Sequence, residues 1–147
     1  MKIFLAIYLV TCGFVNSQTL DEVAKTVDIG KVLPEDYDWV AYIKAGESTA
    51  GEMMRAYSGI KLIKPRLELL LADLRARLKN DVEGLKKFEE MHLLWEKSAS
   101  IEVSWIAKSW EGGSQKNVEV PKARLRTLVM RVQYLKRFRD ESGLFNQ

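Results

Sequence analysis

Between residues 65 and 110 the apolar positions recur at helical spacing: Leu67, Leu71, Leu74, Leu78, Val82, Leu85, Phe88, Leu94, Ile101, Trp105 and Ile106. Steps of three and four dominate, as one side of a 3.6-residue helix requires. Helix formers fill the positions between them, no proline follows Pro65, and glycine occurs only at Gly84. An unbroken helix here would be roughly 69 Å long at about 1.5 Å per residue. A compact domain of this size has a radius of gyration near only ~14 Å, so a single rod would overhang it. Asn80-Asp81-Val82-Glu83 supplies a cap and a first-turn acid, which predicts two helices, over 65–79 and 81–110.

The flanking stretches carry the same period. Leu125, Leu128, Val129, Val132 and Leu135 form one stripe over 121–141, behind a stop at Glu111-Gly112-Gly113-Ser114. Upstream, Val40, Ile43, Ala50, Met54 and Tyr57 mark 34–63, interrupted by Gly46 and Gly51. Each glycine costs about 1 kcal/mol against alanine inside a helix, so a break is predicted between Gly46 and Ser48, with Ser48 capping the next helix. Leu20, Val23 and Val27 behind Thr19 predict a short helix over 19–30. Pro34, Pro65 and Pro121 each stand just ahead of a periodic stretch, where a missing N–H costs least. No alternating strand of useful length competes. The pattern predicts an all-α fold, a small bundle of four to six helices with one long, broken central segment.

The first 17 residues read differently. Met1-Lys2 is followed by an apolar run from Ile3 to Val15 and then by Val15-Asn16-Ser17, the order of a secretory signal. The run is shorter than the ~20 residues a bilayer span needs, so no transmembrane span is expected. Cleavage would leave residues 18–147 as a single helical domain, secreted and extracellular, with a formal charge of +2. It would also remove Cys12, the only cysteine, so neither a disulfide nor a thiolate metal site is expected. Such a chain relies on its hydrophobic core, and the 47% apolar and 29% charged composition is that of a globular domain able to build one.

Charge is divided along the chain. Residues 18–60 hold 8 acids and 4 bases, whereas 61–147 hold 18 bases and 12 acids. The last helix concentrates cations at Lys122, Arg124, Arg126, Arg131, Lys136, Arg137 and Arg139. A basic amphipathic helix beside an acidic half either docks within the molecule or presents a cationic face to an anionic partner. Outside the cell that partner is an extracellular protein, a glycan or an anionic lipid surface, and nucleic acid is not expected. Trp95, Trp105 and Trp110 crowd the second half of the long segment. Each either fills the core or forms an exposed aromatic edge that anchors a partner.

Material for catalysis is sparse. His92 is the only imidazole, and the mature chain has no thiol. Glu89-x-x-His92 has the spacing of half a carboxylate di-metal site, but that chemistry needs a second His, which is absent. Glu35-Asp36-Tyr37-Asp38 lacks the glycine turn and distal Glu of a calcium loop. No metal, no cofactor and no enzymatic activity are expected.

One succession in the last third carries a resemblance. Trp105-Ile106 near the end of a long helix is followed by Gly112-Gly113, Val118 and Val120 in a loop, Arg124-Leu125, Arg131, Tyr134 and Phe138. This order resembles abalone-type sperm lysins and their acrosomal relatives. The resemblance implies a small, secreted, cysteine-poor helical protein of fertilization that acts on an egg coat without cutting bonds. The reading is thus a secreted, non-enzymatic binding protein using the basic last helix and a Trp-bearing apolar face. The alternative is a carrier that holds a fatty acid or other apolar ligand between its helices.

Overall fold

The computed structural model describes residues 38–141. The leader 1–17, the helix expected over 19–30 and Pro34 lie outside the described residues. Four helices follow one another: α1 (Trp39–Lys44), α2 (Thr49–Leu78), α3 (Val82–Ser109) and α4 (Lys116–Glu141). No strand occurs among the described residues. The protein is an all-α bundle.

Local chemistry sets most of the boundaries. Asp38 Oδ1 accepts from the Ala41 N–H at 2.9 Å and opens α1. The break between Gly46 and Ser48 is present, and Ser48 Oγ caps α2 by accepting from the Gly51 N–H at 3.1 Å. The turn is so tight that a Cβ on Gly51 would run into the Gly46 carbonyl, which explains both glycines. Asp81 performs the same service for α3, taking the Gly84 N–H at 2.9 Å. The break near residue 80 is therefore real, with Asp81 rather than Asn80 as its cap. Gly112, at φ +82°, supplies the left-handed turn beyond the end of α3.

Two prolines are not helix starts. α2 runs straight through Pro65, and α4 begins at Lys116, so Pro121 lies inside it. Each leaves one carbonyl, of Lys61 and Asn117, without its donor four residues on, a loss of ~3 kcal/mol or more in an isolated helix. Both carbonyls belong to exposed residues, where water can serve them. Burial on either side outweighs the loss: Ile63 and Leu67 flank Pro65, and Val118, Ala123 and Leu125 surround Pro121.

α2 and α4 form the main seam. Ile63, Leu67, Leu70, Leu71, Leu74 and Leu78 of α2 meet Leu125, Val132 and Leu135 of α4, and Phe88 of α3 completes the core. Glu52 of α2 bonds Lys122 of α4, so both helices begin at the same end; Glu102 and His92 of α3 pair with Arg126 and Arg131, which runs α3 the opposite way. α3 is a lesser partner. Only Phe88 and His92 of its 28 residues are buried. The apolar stripe read through Leu94, Ile101 and Trp105 does not enter the core.

The seam and the outer α3 face should respond differently to truncation. Leu74→Ala or Leu125→Ala, both at fully enclosed sites, is expected to lower the unfolding free energy by about 2–5 kcal/mol. Trp105→Ala, on the exposed face, should change it by no more than about 0.5 kcal/mol. Urea titrations followed by circular dichroism measure both.

Candidate functional site

The cations of α4 do not form one outward face. Lys122 Nζ lies 3.0 Å from Glu52 Oε2 and 3.2 Å from Glu119 Oε1. The Glu52 bond is the main reason its ammonium is held above the ordinary lysine value. Arg126 Nη2 donates to Glu102 Oε1 of α3 at 2.7 Å, and Arg139 Nε donates to Asp140 at 2.9 Å. Arg124 and Arg137 are exposed, and Lys136 is half-buried. Arg131, expected among the outward cations, is only 4% exposed. Of the two uses open to a basic helix, intramolecular docking accounts for Lys122 and Arg126.

Arg131 stands at the centre of a buried cluster between α3 and α4. Its guanidinium lies 5.2 Å from the Trp95 ring centre and 5.5 Å from that of Tyr134, within cation–π range. Nη2 is 3.2 Å from His92 Nδ1. Arginine can only donate, so Nδ1 accepts and the neutral ring carries its proton on Nε2, 3.8 Å from Glu96 Oε1. The His92 ring stacks on Trp95 at 5.5 Å. Glu89 is occupied elsewhere, taking two parallel bonds of 2.7 and 3.0 Å from Arg75 of α2. The Glu89-x-x-His92 pair therefore faces two arginines. Among the described residues no three His, Cys, Asp or Glu side chains gather where a metal could bind.

The outer surface of α3 is the second feature. Leu94, Ile101 and Trp105 are 65%, 70% and 71% exposed. At 100° per residue they fall within roughly 40° of arc, and Lys97 and Lys108 lie on the same side. No acid occupies this side between Leu94 and Lys108; Glu102, at its edge, is held by Arg126. Trp110, at the C-cap of α3, is 44% exposed but lies round the helix from this stripe. Trp95 is half-buried in the cluster. Of the three tryptophans picked out by sequence, only Trp105 shares an exposed apolar surface with cations.

A groove of about 570 Å³ also runs among α1, α3 and α4, walled by Ile43, Ile106, Val129 and Met130 and edged by Lys44, Lys122 and Arg126. The last two cations are already engaged. No helix among the described residues is long and apolar enough to cross a membrane. Comparison with protein-family models, with curated proteins and with solved structures finds no match to this chain.

The residues missed by sequence reasoning left a signal. Arg131 is three residues from Leu128 and four from Leu135, so it belongs to the apolar stripe of α4 and not beside it. His92 likewise follows Phe88 by four and Leu85 by seven. Polar residues at core register are the ones most apt to be enclosed and specifically bonded.

Enclosure gives His92 a pH dependence. Burial first, and then the Arg131 charge, hold its pKa below the ordinary 6.5; Arg75 adds to this, while Glu96 and Glu89 oppose it. The unfolded chain takes up the proton near 6.5 and the folded chain only at lower pH. The stabilising contribution is thus complete above 6.5 and is lost as pH falls toward the folded value. The unfolding free energy from urea titrations between pH 7.5 and 5 should fall more steeply for the native chain than for His92→Asn, by up to about 1.4 kcal/mol per pH unit.

Proposed function

We propose that this chain is a secreted, non-enzymatic binding protein that attaches to an anionic lipid surface through the outer side of α3. The observation that carries the reading is the alignment of Leu94, Ile101 and Trp105, all largely exposed, with Lys97 and Lys108 beside them. Isolated exposed apolar residues are ordinary, but three in register with cations and with no acid on that side between Leu94 and Lys108 form an interfacial pattern. A sulfated glycan offers nothing against which to bury Leu94 and Ile101. A membrane interface accepts the apolar side chains, places the indole at headgroup depth and draws in the ammonium groups.

The binding element moves from the last helix to α3 in this reading, because Lys122, Arg126 and Arg131 have partners inside the molecule. An acrosomal egg-coat role is one version of the reading, resting on the resemblance in the last third of the chain.

Attraction to lipid charge weakens as salt screens it, whereas apolar burial does not. Partitioning onto phosphatidylserine–phosphatidylcholine vesicles should fall with rising salt, shift Trp emission to the blue and drop at least tenfold in Trp105→Ala. Heparin should compete weakly. Vesicle binding unaffected by Trp105→Ala, or none at low salt, sinks the reading.

A further inference from the structure

Every buried charge needs an account, and Arg131 lacks one. Arg75, enclosed to a similar degree, donates to both oxygens of Glu89. Arg131 has no carboxylate in ion-pairing range among the described residues. Its contacts are the faces of Trp95 and Tyr134 and one ring nitrogen of His92, and its Nε has no hydrogen-bond partner. Lost hydration at such a site costs the fold stability, and Glu96 acts on the guanidinium only as a charge beyond ion-pairing distance. The same enclosure makes it a strong receptor for an anion.

Beside it lies a pocket of about 320 Å³ opening between α3 and α4. Trp95, Ala99, Met130 and Tyr134 give it apolar walls and Ser98 supplies a hydroxyl, while the Thr127 hydroxyl already donates to the Arg124 carbonyl at 2.9 Å. Glu102 lines the rim, but its charge is met by Arg126 at 2.7 Å, so it does not repel an entering anion. One of the two rings on the guanidinium, Tyr134, is 43% exposed; its hydroxyl reaches a thioether, Met91 Sδ, at 3.4 Å, and its face stacks on Phe138 at 6.4 Å. Arg131 itself lines this pocket beside that ring.

We propose that this pocket binds a small carboxylic acid with an apolar body. The carboxylate takes the Nε edge of Arg131, whose planar fork suits two oxygens, and the body lies on Trp95, Ala99 and Met130. The wider groove beside α1 is the poorer receptor, because Lys122 and Arg126 at its edge already hold acids. The site gives the apolar-carrier alternative a definite place and ligand class. It does not rest on the outer α3 face, so either can fail alone.

Octanoate is the probe, with octanol as its chargeless counterpart, and isothermal calorimetry of the full mature chain is the readout. Octanoate should bind at one saturable site with a Kd of about 1 mM or tighter, and octanol at least tenfold more weakly. Arg131→Met should weaken octanoate at least tenfold. Ser98→Trp, which fills the mouth of the pocket from an exposed position and leaves the core alone, should do the same should the first variant fold poorly. Lys79→Ala, at an exposed position outside the pocket, should leave octanoate binding unchanged. Equal binding of octanol and octanoate, retention of binding in either pocket variant, or no saturable binding overturns the proposal.

Discussion

The fold depends on an unequal division of contacts among three long helices. α2 and α4 run side by side in the same direction and enclose nearly all the large aliphatic side chains. α3 leans on them through its N-terminal half, with Phe88 in the core and His92 against Arg131. Burial scales with apolar area removed from water, so the α2–α4 seam carries the stability and α3 is a lighter attachment. Two consequences arise from that arrangement. One side of α3 is left bare toward its C-terminal end, and a guanidinium is trapped where the helix is pinned.

Charge completes the attachment in an ordered way. Moving along α4, Lys122 reaches back to Glu52 of α2, Arg126 reaches across to Glu102 of α3, and Arg131 turns inward to His92. These residues fix the rotational setting of α4 between its two neighbours. The division of the sequence into an acidic first part and a basic remainder thus has an internal use in the Glu52–Lys122 bond, in addition to any effect on partners.

The sequence made local features plain and distant ones obscure. Ser48 and Gly112 act on backbone groups close to themselves, so their cap and stop could be read directly, while the cap of α3 fell one residue past the expected Asn80, on Asp81. Pro65 and Pro121 misled for a related reason. Their preference for a first helical turn is local, whereas the burial of Leu67 and Leu125 that holds the helices through them comes from another helix. Periodicity places Arg124, Arg126 and Arg131 on a helix but does not say which side a neighbour will occupy. The apolar series of α3 read as one stripe, but Phe88, which enters the core, and Trp105, which does not, lie about 100° apart around the helix, because seventeen residues are not a whole number of turns.

The tie between Glu102 and Arg126 has a mechanical side. It fastens α3 to α4 three residues before Trp105, a rise of only about 4.5 Å at ~1.5 Å per residue. His92 against Arg131 fastens the same helix ten residues earlier. The exposed indole is therefore carried on a braced rod and not on a free end.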